Sequence, residues 1–136
     1  MTRAVLDPNV FIAAALRPDG VPAECMRAHA EGRFELIVSP LLLAELGTVL
    51  AREKFRPFVT PEQSARLVDA LARGGRVIDD PARPERVSRD PGDDYLIALA
   101  RSASADVLVT GDNDLLVLEV PDLAIVSPRG FLRRLP

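Results

Sequence analysis

Histidine and cysteine occur once each in this chain of 136 residues, tryptophan is absent, and aromatic residues make up only 4%. With Cys25 alone, neither an intramolecular disulfide nor a thiolate zinc cluster can form. With His29 alone, mechanisms built on a histidine pair are excluded and a Ser-His-Asp triad is disfavoured. The shortage of aromatics leaves the core to Leu, Val, Ile and Ala. Lysine appears only as Lys54, so the basic residues are almost all arginine, from which no mechanism follows. There is no run of about twenty apolar residues, and Met1-Thr2-Arg3 leads straight into a strand-like segment with no apolar leader. The chain therefore reads as cytoplasmic, with no membrane contact. Its net charge of −3 gives no global basic field, so a nucleic acid would have to be held by a local basic patch or through metal ions.

The length suits one domain spanning residues 1–136. A 48% hydrophobic and 27% charged composition is ordinary for a soluble globular protein. Ala4-Val5-Leu6 is a short apolar run suited to a buried strand, and Asp7-Pro8 follows as a helix cap and first helical residue. A helix through Val10 to Leu16 turns at Pro18-Asp19-Gly20, and Pro22 to Ala30 forms another, stopped by Gly32. Phe34 to Val38 reads as a second strand. Ser39-Pro40 repeats the cap-then-proline start and opens a helix from Leu41 to about Lys54. Thr60-Pro61 begins a further helix ending at Gly74-Gly75, followed by a strand at Arg76-Val77-Ile78. Asp79 to Asp90, rich in Pro, Arg and acids, reads as an exposed loop. Pro91 to Ser104 is helical, with Leu96, Leu99 and Ala100 on one face. Val107-Leu108-Val109 and Leu123 to Val126 complete the strands, before a last helix from Pro128 to Arg134. Strands alternating with helices predict an α/β fold with a parallel sheet covered on both faces.

In open parallel sheets, ligands bind beyond the carboxyl ends of the strands. Asp7 follows the first strand, and Asp112 with Asp114 follows the fourth. Glu45, in the second turn of its helix, and Asp93-Asp94, at the start of another, can face the same edge. Each has a structural role open to it. Asp7 can be an N-cap, Glu45 a solvated acid, Asp93 and Asp94 first-turn charges favoured by the helix dipole, and Asp112-Asn113-Asp114 a turn. Their shared location argues for more. Several carboxylates at one edge repel and resist ionising unless a cation neutralises them. An all-oxygen donor set suits Mg²⁺ or Mn²⁺, and one or two such ions can activate water and stabilise an in-line phosphodiester displacement.

The string Val5-Leu6-Asp7-Pro8-Asn9-Val10-Phe11 resembles the opening of PIN-domain nucleases. Leu43-Ala44-Glu45-Leu46 is similar to the family's helix-borne glutamate. Asp94 to Ala100 resembles its Asp-led helix, and Thr110-Gly111-Asp112-Asn113-Asp114 its Thr-x-Asp-x-Asp segment. The likeness covers the whole chain in the expected order, and is nearest the bacterial branch of VapC-type toxins. It implies a Rossmann-like three-layer α/β/α fold of about five parallel strands, Mg²⁺- or Mn²⁺-dependent RNA cleavage, a homodimer and a small antitoxin protein as partner. Carried over by position, Asp7, Glu45, Asp94 and Asp112 form the catalytic and metal-binding quartet. Asn9, Thr110, Asp114 and Asp93 support it, Asp94 being preferred to Asp93 because Ala98 and the apolar positions then keep register. Pro8 departs from the family's usual hydroxyl residue, removing a donor.

Two rival readings remain. A haloacid-dehalogenase-type phosphatase would need a second aspartate at position 9, where Asn9 stands, and a late lysine that Lys54 does not supply. A catalytically silent PIN-like module binding RNA or protein would be marked by loss of an acid, and none is missing. Arg83, Arg86 and Arg89 in the loop, and Arg129, Arg133 and Arg134 near the end, are candidate RNA-phosphate contacts, with a solvated surface the alternative for each. Cys25 and His29, four apart on one helix, are too few ligands for a closed metal site and read as packing residues.

Overall fold

The computed structural model describes residues 1–81 and 94–136. In chain order it contains β1 (Arg3–Leu6), α1 (Pro8–Leu16), α2 (Val21–Ala30), β2 (Glu35–Val38), α3 (Pro40–Leu50), α4 (Pro61–Gly74), β3 (Arg76–Val77), α5 (Asp94–Ser102), β4 (Val107–Val109), α6 (Asn113–Leu116), β5 (Ala124–Val126) and α7 (Pro128–Arg134). The five strands form one sheet in the order β3-β2-β1-β4-β5, and every pairing is parallel. The α/β class and the parallel sheet expected from the alternating pattern are therefore present.

Ala4, Val5 and Leu6 of β1 and Val107, Leu108 and Val109 of β4 all have no exposed surface. Successive strand residues point to opposite faces, so an unbroken buried run requires both faces to be covered. That is why these strands are continuous apolar runs and not alternating ones. At one edge of the sheet, β3 is two residues long and exposed, a length that limits pairing with foreign strands. α2 packs on α1 and α7, α3 on α1 and α4, and α5 on β1 and β4.

Four helices start in the same way. Asp7, Ser39, Thr60 and Ser127 each cap with the side chain, and proline is the first helical residue. Thr60 and Gln63 form a reciprocal capping box. These caps satisfy N–H groups that the helix itself cannot. Three of them lie directly after a strand, so β1, β2 and β5 turn into helices through a single residue. At the other end of α2, Gly32 has φ +73, the left-handed conformation that glycine adopts at least cost.

Several boundaries differ from expectation. α3 stops at Leu50, with a separate 3-10 turn at Glu53–Phe55. Its buried stripe is Leu42, Leu46 and Leu50, and the next turn offers only Glu53 and Lys54, so continuing the helix would bury nothing. Asn113–Leu116 is a one-turn helix where a simple turn was expected, because the Asp112 side chain caps it by accepting from the Asp114 N–H. α5 ends at Ser102; its expected start at Pro91 and most of the expected loop lie outside the described residues.

Cys25 is fully buried, and its thiol points at the Pro128 carbonyl oxygen at 3.7 Å. Burial pushes that thiol up to about 11, so it remains a neutral packing group. His29 stacks obliquely on Phe34 with centroids 5.7 Å apart. Phe34 meets Phe131 edge-on at 4.8 Å and 88°, joining α7 to the α2–β2 corner. Phe131 is fully buried, so Phe131→Ala is expected to cost about 3–5 kcal/mol. Urea unfolding should show a lower midpoint with an unchanged slope.

Candidate active site

The strand order reverses between β1 and β4. From β1 the chain steps outward to β2 and β3, then returns to the other side of β1 as β4. Such a switch point opens a crevice at the carboxyl ends of the two strands. Asp7 and Thr110 are the first residues beyond those ends. The β1–β4 ladder pairs Leu6 with Val109 and continues one step further, with the Asp7 N–H donating to the Val109 carbonyl at 2.9 Å. Asp7 and Thr110 must then stand side by side.

A short chain of hydrogen bonds follows. The Thr110 hydroxyl donates to Asp7 Oδ2 at 2.9 Å and accepts from the Asp112 N–H at 3.0 Å. Asp7 Oδ1 accepts from the Asn9 N–H at 3.0 Å, and Asp112 Oδ1 from the Asp114 N–H at 2.9 Å. Asp7 and Thr110 are buried, whereas Asp112 is half-buried and Asn9 and Asp114 are exposed. Asn9 and Asp114 each contribute a backbone N–H to this chain of bonds. Burial raises the Asp7 carboxyl above its ordinary value; the Asn9 N–H and Thr110 hydroxyl oppose this, and the Asp112 charge adds to it.

The second half of the site comes from α3 and α5. α5 leads into β4, so its first turn lies at the carboxyl edge, and it packs on β1 and β4. Asp94, in that turn, is 2% exposed. Its neighbour Tyr95 donates its phenolic hydrogen to Glu45 Oε2. Glu45 is on the exposed side of α3, and this bond holds it beside the start of α5. Burial is the largest cause lifting the Tyr95 phenol far above its usual range, followed by the Glu45 bond and the charges of Glu45, Asp7 and Asp80. Asp80, just past β3, accepts from the Leu41 N–H at 2.9 Å, which ties the start of α3 to the same edge.

The structure thus gathers Asp7, Thr110, Asp112 and Asp114 into one bonded chain, and places Asp94 and the Tyr95–Glu45 pair at the same edge. Among the described residues, no three His, Cys, Asp or Glu side chains stand close enough to share one metal ion. Oxygens of Asp7 and Asp112 are engaged in their own caps, and Glu45 is turned to Tyr95. Asp93, Arg83, Arg86 and Arg89 lie outside the described residues. Arg133 is exposed in the last turn of α7, at the end of that helix remote from its start after β5. Sequence reasoning overlooked Tyr95 and Asp80. Tyr95 carried a detectable signal, as a polar aromatic next to a candidate acid at a helix start. Asp80 had none, being one acid among several in a polar segment.

Because the folded chain holds the Asp7 proton to higher pH than the unfolded chain, its ionised form opposes folding. That cost is absent at low pH and grows as pH rises through the raised value. Asp7→Asn is therefore expected to melt at or above the wild-type temperature in metal-free neutral buffer. A loss beyond about 2 kcal/mol, the size of a strong missing cap, would make Asp7 chiefly a structural residue.

Comparison with known proteins agrees with this fold. The PIN domain family model matches residues 3–114. An uncharacterised protein of Methanocaldococcus jannaschii is 30% identical over 116 residues, covering 85% of this chain and 74% of the relative. Among solved structures, a chain of the VapBC2 complex of Rickettsia felis, bound to a promoter DNA fragment, superposes with a TM-score of 0.66 at 17% identity, over 93% of this chain and 98% of that one. A protein of Pyrobaculum aerophilum gives 0.65 at 20% identity, over 98% and 88%. A chain of the DNA-bound VapBC of Salmonella typhimurium gives 0.64 at 17%, over 94% and 99%. Likeness at such identities speaks for the shared fold, and the family match spans most of the sequence: the chain belongs to the PIN-domain family.

Proposed function

We propose that this PIN-domain chain is a Mg²⁺- or Mn²⁺-dependent endoribonuclease that hydrolyses phosphodiester bonds of single-stranded or structured RNA. In the same reading it is the toxin of a toxin–antitoxin pair, a cytoplasmic homodimer restrained by a small antitoxin protein. The observation carrying the nuclease reading is the Asp7–Thr110–Asp112 chain in the β1/β4 crevice, with its buried acid. The toxin reading is supported by the fold likeness to chains of two VapBC complexes.

The donor chemistry fits a hard divalent cation. Asp7, Glu45, Asp94 and Asp112 would hold it, offering oxygen alone, and the desolvated Asp7 charge is one that a cation would offset. Bound there, one or two such ions would supply an activated water and neutralise charge on the phosphodiester. The protein's own groups do the positioning. Thr110 fixes the carboxylate of Asp7 and the backbone of Asp112 through one hydroxyl, and Tyr95 restrains Glu45. Thr110→Val keeps the side-chain shape but removes both bonds. Cleavage is expected to fall about 10–100-fold, the usual effect of losing a group that orients a metal ligand.

A catalytically silent RNA- or protein-binding module is the second reading, favoured by the separation of the acids among the described residues. Purified protein should cut an RNA panel with Mg²⁺ or Mn²⁺, lose activity with a chelator, and cut little with Ca²⁺, whose loose coordination positions water poorly. Asp112→Asn is the control: cleavage equal to wild type would assign the activity to a contaminant or another site. A cation that binds only the folded state should stabilise it by about 2.7 kcal/mol at a hundredfold excess over its Kd. If neither Mg²⁺ nor Mn²⁺ raises the melting temperature at millimolar concentration, the silent module is the better description.

A further inference from the structure

We propose that Tyr95 is the positioning residue for Glu45, fixing an exposed glutamate at the edge of the crevice through its phenolic hydrogen bond. The proposal rests on the reading of Glu45 as part of the nuclease site.

Glu45 is on the exposed side of α3. Its neighbours Ala44 and Thr48 are too short to restrain it, and its three rotatable bonds leave it many orientations. Left alone, it would sample solvent. Tyr95 removes that freedom. Its hydroxyl donates to Glu45 Oε2 from the first turn of α5, one residue from Asp94, so the carboxylate is held on the α5 side. Tyr95 is itself well fixed. It is half-buried, flanked by the buried Asp94 and Leu96, and packed against the core.

The direction of the bond is also fixed. A phenol keeps its proton at neutral pH, whereas an ionised carboxylate can only accept. The hydroxyl therefore stays a donor, and an ionised carboxylate makes a charge-assisted acceptor. Asp80 adds a second tether through the Leu41 N–H, so α3 is braced at its start and again one turn on. The Tyr95 bond engages one Glu45 oxygen, Oε2. Phenylalanine would fill the same space and provide none of this.

The chain has one tyrosine and no tryptophan, so its intrinsic emission reports Tyr95 alone. A phenol bonded to a carboxylate emits weakly, because the excited hydroxyl passes its proton to that acceptor. In full-length, metal-free protein, Glu45→Ala should therefore emit more strongly than wild type; equal emission from the two folded proteins overturns the proposal. Tyr95→Phe should melt close to wild type without metal. It should need about tenfold more Mg²⁺ for half-maximal stabilisation, and its kcat for RNA should fall with KM unchanged. An unshifted Mg²⁺ midpoint with unchanged kcat also overturns it. If wild type shows no stabilisation by Mg²⁺, the metal-dependent reading fails instead, while the emission contrast still decides whether Tyr95 restrains Glu45. Should Tyr95→Phe not fold, Glu45→Ala decides the matter, because it leaves the ring in place.

Discussion

The site depends on the parallel register between β1 and β4. Leu6 lies opposite Val109, and the ladder runs on to the Asp7 N–H, which brings Asp7 against Thr110. A slip of one residue would turn every side chain of one strand to the opposite face. The buried run Val107-Leu108-Val109 could survive that, being apolar throughout. The Thr110 hydroxyl could not still reach Asp7. The register is therefore held by sheet packing but expressed in the site.

Much of this was legible in the sequence because the relevant signals are local. Cap-then-proline pairs marked the helix starts at Asp7, Ser39 and Thr60. Unbroken apolar runs marked strands covered on both faces. Asp7 and Thr110 could be placed at one edge because parallel strands all end there. What could not be read depended on partners distant in the chain. The bond from Tyr95 to Glu45 spans fifty residues, and neither residue type announces it. Asp80 holding the Leu41 N–H is equally invisible, since an acid in a polar segment is usually solvated. The early end of α3 was missed for another reason. Helix propensity continues through Ala51 to Lys54, but burial stops at Leu50, and burial decides.

The two ends of the sheet treat acids differently. At the amino end, Glu35 is bridged by Arg3 at 3.6 Å and Arg76 at 3.3 Å. At the carboxyl end, Asp7 accepts from a backbone N–H and a hydroxyl, both neutral. Neutral donors fix the orientation of a carboxylate without cancelling its charge. A guanidinium in the same place would leave the carboxylate with its charge already satisfied. Among the described residues no salt bridge offsets the Asp7 charge, a local conflict of the kind that functional sites retain at the expense of stability.

The proline after each cap also acts on the unfolded chain. A residue preceding proline is kept out of the helical region and held extended. Asp7, Ser39, Thr60 and Ser127 have ψ of 137, 162, 159 and 163° in the fold. These backbones are biased toward their final conformation before any packing exists, so less entropy is lost in ordering them. For Asp7 this means that the strand-to-helix bend presenting the carboxylate is partly written into the disordered polypeptide. The same economy removes slack: with a single residue between β1 and α1, any insertion at that junction must displace the acid itself.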